Sequence, residues 1–278
     1  MSWLNTALRA LFDTLLLPFR SLPPLIGLAV VSLAVAFGML YVFRATSNQR
    51  AIQDAKRAIL AGLLEVRLFN DDLGAVLRAQ LEVLRHNLTY LRLSLVPLAW
   101  MLVPFVLMTA QLHFHYGYAG LTPGQATLVK VQLEPEAAVG VPEQGPPVTL
   151  TAPPGLEVTS PAVWTPALSE IAWRVAAEQP GVYDLVIHVA GRPTLKRVLV
   201  SDDVVRRSPA RVAPGFMNEL FDPAEPPLEA GLPIRAIEIT YPARAIGVFG
   251  VALPWLAVFF VLTLAFAFLL RGWVGVTF

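Results

Sequence analysis

The stretch Leu93-Ser94-Leu95-Val96-Pro97-Leu98-Ala99-Trp100-Met101-Leu102-Val103-Pro104-Phe105-Val106-Leu107-Met108-Thr109-Ala110-Gln111-Leu112 decides how the chain is read, because it contains no charge. A helix rises about 1.5 Å per residue, so a run of this length crosses the ~30 Å hydrocarbon core of a bilayer. Two further runs share the pattern. Leu25 to Phe43 is uncharged, follows Pro23 and Pro24, and is closed by Arg44. Ala245 to Leu270 is uncharged, contains Pro254, and is followed by Arg271. The expectation is three transmembrane helices over 25–43, 93–112 and 245–270.

Composition agrees. The 278 residues are 55% hydrophobic and 15% charged, whereas a soluble domain carries about 25% charged residues. There is no cysteine, so disulfides, zinc–thiolate sites and iron–sulfur clusters are excluded. A net charge of +1 gives no reason to expect nucleic acid recognition. No span carries an ionisable side chain, which argues against a proton relay or ion-coupled transport. P-loop, dinucleotide, HExxH and Gly-x-Ser-x-Gly motifs are all missing, so no enzyme activity and no cofactor are expected.

Orientation follows from basic residues near the span ends. Arg44, Arg50, Lys56, Arg57, Arg67, Arg78, Arg85 and Arg92 lie between the first two spans, whereas no basic residue follows the second span until Lys130. The expectation is that 44–92 and the tail 271–278 are cytoplasmic, and that the N-terminus and 113–244 are outside.

Within 1–24, Trp3, Leu4, Ala7, Leu8, Leu11, Phe12, Leu15 and Leu16 recur at helical spacing, with Asn5, Arg9 and Asp13 on the opposite face. This predicts an amphipathic helix lying in the membrane interface. The stretch lacks the basic n-region and cleavage site of a signal peptide.

Segment 44–92 predicts an antiparallel helical hairpin of coiled-coil type. Ile52, Ala55, Ile59, Leu63 and Val66 stripe the first arm, and Val76, Leu77, Leu81, Leu84, Leu88 and Leu91 the second. Asn70-Asp71-Asp72 supplies the turn and the helix cap between them. The second arm runs directly into the second span. Asn87-Leu88-Thr89 matches a glycosylation sequon but falls on the expected cytoplasmic side.

From Ala126 the apolar period changes to two. Alternation over 127–133, 148–151, 171–175, 183–189, 195–200 and 234–241, with proline-rich turns between, predicts an extracytoplasmic β-sandwich. Trp173 and Tyr183 are its expected core aromatics, in an immunoglobulin-like pattern without the paired cysteines. Phe216 to Phe221 reads as one short helical turn. His113 and His115, with Tyr116 and Tyr118, read as an interfacial aromatic belt in preference to a metal site.

The order of elements, together with Gly38-Met39-Leu40-Tyr41, the charged run Ser47 to Arg57 and the prolines Pro97 and Pro104, resembles the Oxa/YidC superfamily of membrane-protein insertases. The resemblance covers about 1–112 and, less specifically, 245–271. It implies a water-holding groove between the spans that receives nascent membrane-protein clients, and a hairpin that meets clients or the ribosome. The family's groove arginine has no counterpart, since the matching position falls at Ala36 or Phe37. Candidate groove or client contacts are Ser32, Arg44, Thr109 and Gln111. The expected setting is a prokaryotic inner membrane, with lipids as constant partners. The other reading is a scaffold subunit of a larger membrane complex that docks partner subunits through the β-domain. A third is a receptor with its ligand in the β-domain.

Overall fold

The computed structural model describes residues 2–69, 72–138, 141 and 145–276. Turn residues Asn70 and Asp71 lie outside these, as do the side chains of Ser2, Trp3 and Leu4. The chain begins with α1 (Ser2–Leu16), α2 (Pro24–Thr46), α3 (Gln49–Leu68) and α4 (Leu73–Tyr116). The next part holds β1 (Ala126–Leu133), α5 (Pro135–Ala138), β2 (Val148–Thr151), β3 (Leu156–Val158), β4 (Val163–Thr165), β5 (Glu170–Ala177), β6 (Gly181–Val189), β7 (Arg192–Val200), β8 (Ala210–Val212), α6 (Phe216–Phe221) and β9 (Ile234–Ile239). It ends in β10 (Ala245–Val248), β11 (Val251–Pro254) and α7 (Trp255–Val274). Helices α2, α4 and α7 are long and apolar enough to cross a membrane. The chain divides into two compact units, one of residues 1–27 and 110–256, the other of 28–109 and 257–278.

In the helical unit, Leu40 packs with Val274 and Val276, backed by Phe43, Ala267 and Leu270. Phe105 of α4 stacks on Phe259 of α7 with ring centres 6.0 Å apart. Asn48 caps α3 by accepting from the Ala51 amide at 3.1 Å. Asp72 caps α4 by accepting from the Gly74 and Ala75 amides. The hairpin forms as expected, but along a different seam. Ile52, Ala55 and Gly62 of α3 are buried, with Ile59 and Val66 half-buried beside them. The facing residues on α4 are Ala79, fully buried, and Val76, Val83, His86 and Tyr90, half-buried. A Cβ on Gly62 would meet Val83 Cγ2 at 2.6 Å, and Lys56 Nζ sits 5.7 Å over the Tyr90 ring. The expected leucine stripe of the second arm, and Leu63 of the first, instead face outward. Sequence period alone offers α4 two stripes. The small residues Ala55, Gly62 and Ala79 let the two backbones approach closely, and this selects the seam.

In the other unit two antiparallel sheets share one core. The larger has strand order β3-β5-β1-β9-β8 with β4 also on β5, and the smaller is β2-β6-β7. Val129 and Val131 of β1, Trp173 and Val175 of β5, and Ile237 of β9 meet Leu185 and Ile187 of β6 and Val198 of β7. All six strands expected from alternation are present. Strands β3, β4 and β8 were not expected; each has three residues, too few to show a period, and each exists because a longer neighbour offers free backbone groups.

The third span needs correcting. Residues 245–254 are not helical; β10 and β11 form a hairpin paired from Ala245↔Pro254 to Val248↔Val251. Phe249 and Gly250 turn it with φ of 50° and 82°, a pair of left-handed residues that suits a two-residue hairpin loop. Pro254 disfavours helix at Leu253, so α7 starts at Trp255 and runs past Arg271 to Val274. An uncharged composition does not distinguish an apolar hairpin from the first turns of a helix.

Helix α1 also differs from expectation. Its supposed water-facing residues are its anchors. Asn5 Nδ2 donates to the Glu219 carbonyl at 2.7 Å, Arg206 Nη2 donates to the Arg9 carbonyl at 2.6 Å, and Arg206 pairs with Asp13. Phe12 and Leu16 are buried beside them, while Leu11 and Leu15 are exposed. A helix of this size docks through the side that finds partners, and loop 203–206 supplies arginine where periodicity could only assume water.

Candidate functional site

The expected groove residues fall in different surroundings. Ser32 on α2 is fully buried, and its hydroxyl has no hydrogen-bond partner. The hydroxyls of Thr109 on α4 and Thr263 on α7 are likewise enclosed and unpartnered. Helical threonines elsewhere in the chain satisfy themselves. Thr14 donates to the Ala10 carbonyl at 2.8 Å, Thr46 to Val42 at 2.7 Å and Thr89 to Arg85 at 3.0 Å. Each apolar helix thus places in the helical unit an enclosed hydroxyl that does not back-bond to its own turn. Only the burial of its hydroxyl distinguishes Thr263 from any other helical threonine.

Arg44 has a defined partner. Its Nη1 donates to the Val274 carbonyl at 2.9 Å, at the C-terminal end of α7. A cation there offsets the partial negative charge of the helix end and satisfies one of its free carbonyls. Gln111 is buried in the unit that carries the sheets, and its backbone carbonyl accepts from, or faces, His115 Nδ1 at 3.2 Å. The four candidates are therefore spread over both compact units.

His115 is buried, and its Nε2 lies 3.1 Å from Asp13 Oδ1, so it is a docking residue for α1 and not part of a surface belt. His113 Nε2 lies 3.1 Å from the Tyr118 hydroxyl. Among the described residues no group of three or more His, Asp or Glu is placed to hold a metal ion.

A cavity of about 690 Å³ opens between α1, β6–β7 and the segment that follows them, with Arg9, Asp13, Arg20, Arg197, Arg206 and Glu225 in its wall. Its cations are largely matched. Arg20 pairs with Asp203 at 3.3 Å, Arg197 with Asp184 at 3.1 Å and Arg206 with Asp13. Beneath it Lys196, fully buried, donates to Glu225 at 2.5 Å and to the carbonyl and hydroxyl of Ser208 at 2.9 and 3.0 Å. Burial lowers the Lys196 pKa, and Glu225 pulls it back up. Burial tends to raise the Asp13 carboxyl, but hydrogen bonds from His115 and Arg206 outweigh that and hold it below the usual carboxylate range. The pairs of Asp13 with His115 and Arg206 seat α1, a role that the long separation between Asp13 and Arg206 hides from sequence.

No family model, curated protein or solved structure matches the chain.

Proposed function

We propose that this chain is a membrane-protein insertase or membrane chaperone of the Oxa/YidC kind, acting without covalent chemistry or cofactor. The observation that carries the reading is that the hydroxyls of Ser32 on α2, Thr109 on α4 and Thr263 on α7 are enclosed and unpartnered within the helical unit; α4 carries a further one, that of Tyr116, in the other unit. In hydrocarbon a polar group without a partner costs free energy, which water or a passing polar segment would recover. Such a path lowers the barrier for the polar flanks of a client, where a single charge costs about 2.5–3.5 kcal/mol on insertion scales. Clients are nascent membrane-protein segments, and Arg44 acts at the mouth by holding the end of α7.

In this reading the hairpin α3–α4 is cytoplasmic, the sheets are outside a prokaryotic inner membrane, and α1 presents Leu11 and Leu15 to the lipid surface. The two-sheet unit is read as an immunoglobulin-like sandwich. Core Trp173 supports this, as does Tyr183, whose hydroxyl donates to the Gln179 carbonyl four residues upstream at 2.8 Å, like a tyrosine corner.

The test is photocrosslinking from positions 32, 109 and 263 in translating membranes. Crosslinks to many nascent segments are expected, lost when translation is blocked. One fixed, translation-independent partner would overturn the reading in favour of a scaffold subunit. That second reading is favoured by the outward leucines of the hairpin.

A further inference from the structure

We propose that α4 is the self-association element of this protein: two copies pair in parallel along an outward row of leucines. Leu77, Leu81, Leu84, Leu88, Leu91, Leu95, Leu98 and Leu102 follow one another at alternating steps of 4 and 3 residues. All eight are between 51% and 70% exposed. Steps of this kind are the a and d positions of a coiled coil, here sustained along one helix. The face that packs against α3 is the other one, through Ala79, Val83 and Tyr90, so the leucine row is a second, unoccupied seam on the same helix.

Lipid accounts for only part of the row. Arg78, Arg85 and Arg92 are interleaved with Leu77 to Leu91, and the uncharged run starts only at Leu93. If that run fills the bilayer, the preceding part of the helix stands in water, about 1.5 Å per residue beyond the hydrocarbon. Contiguous apolar rows exposed to water mark interaction sites, unlike single exposed leucines.

The flanking residues select a second copy in parallel. With leucines at a and d, Arg78, Arg85 and Arg92 fall at e, and Gln80, Asn87 and Ser94 at g. In a parallel pair each g side chain meets the e side chain five residues later on the partner helix. Gln80 then meets Arg85, and Asn87 meets Arg92, as amide–guanidinium pairs. An antiparallel pair would set arginine against arginine. Copies inserted in one membrane with one topology can only present α4 in parallel, and the same seam continues into the uncharged run as Leu95, Leu98 and Leu102.

The absence of cysteine makes the test direct. Single substitutions Leu84→Cys, Leu88→Cys and Leu91→Cys are compared with Glu82→Cys and Thr89→Cys in full-length protein in membranes, under copper-catalysed air oxidation. The expected result is a product of twice 30.3 kDa from the three leucine positions, at least tenfold above the other two. Equal yields at all five, no product at any, or a product of another mass would overturn the proposal. The double variant L84R/L88R then migrates as a monomer, with thermal unfolding of the two-sheet unit unchanged. Failure to dissociate in that variant also overturns the proposal. None of these readouts involves clients, so they are independent of the insertase reading.

Discussion

Arg207 is fully buried, with its guanidinium donating to the carbonyls of Ser201 at 2.5 Å, Asp203 at 2.9 Å, and Tyr118 and Val205 at 3.3 Å. Burial, and then the charge of Arg244, lowers its pKa to about 10. The residue ties the exit from α4 to the loop beyond β7, and Gly120 beside it has no room for a Cβ, which would lie 1.9 Å from the Ser201 carbonyl oxygen. Replacing Arg207 by Met leaves the Ser201 and Val205 carbonyls without this donor, at about 1–3 kcal/mol for each such group, whereas Asp203 keeps the Val205 amide at 3.0 Å and Tyr118 keeps Arg244 Nε at 3.1 Å. A loss of about 2 kcal/mol or more in denaturant unfolding of the two-sheet unit is expected. The opposite sign is expected at Ala190, which turns the β6–β7 hairpin with φ of 50° beside Gly191 at 77°. Asparagine tolerates the left-handed region better than alanine, so Ala190→Asn gains about 0.5–1 kcal/mol in the same measurement. Neither effect was legible in the sequence. Arg207 stands next to Arg206 in a loop without periodicity, and nothing there announces four backbone partners.

Among elements, α1 and α4 show where periodicity is ambiguous. Both have two usable faces, and in each the packed face is chosen by residues far away in sequence. For α1 the choice rests on Asp13, whose carboxyl is held below its ordinary 3.8. A carboxylate depressed in the folded state contributes stability that is present above its unfolded pKa and disappears as pH falls through the folded value. Docking of α1 is therefore full at neutral pH and weakens below about pH 3.8. Hydrogen exchange over residues 5–16 should rise through that acid window, and Asp13→Asn should show raised exchange already at neutral pH, with no acid step. For α4 the choice rests on Gly62. Gly62→Val would drive a side chain into Val83 and spread the arms, seen as a longer distance between spin labels at positions 53 and 87. Removing the α4 cap by Asp72→Ala should cost about 1 kcal/mol and fray the first turn, read as faster exchange at Gly74 and Ala75.

At the scale of the whole molecule, the hairpin and the sheets should label from opposite sides of the membrane. With single cysteines at Gln53 and Glu157, an impermeant thiol reagent added to intact cells should modify the second and not the first; the reverse result would invert the topology. The three apolar helices, the hairpin and the main strands were legible because their signals are local. An uncharged run, a period of 3.5 and a period of two each report the environment of consecutive residues, and that environment is the same whatever the rest of the chain does. The sequence by itself therefore determined that the chain has three helices able to span a membrane and a separate antiparallel β-region. Tertiary structure alone decided which face of α1 and of α4 is covered, that 245–254 is a hairpin and not a helix, and that Arg44 holds the end of α7. These are choices between conformations of nearly equal local free energy, and long-range contacts decide them: Arg206 with Asp13, Gly62 with Val83, Arg44 with Val274.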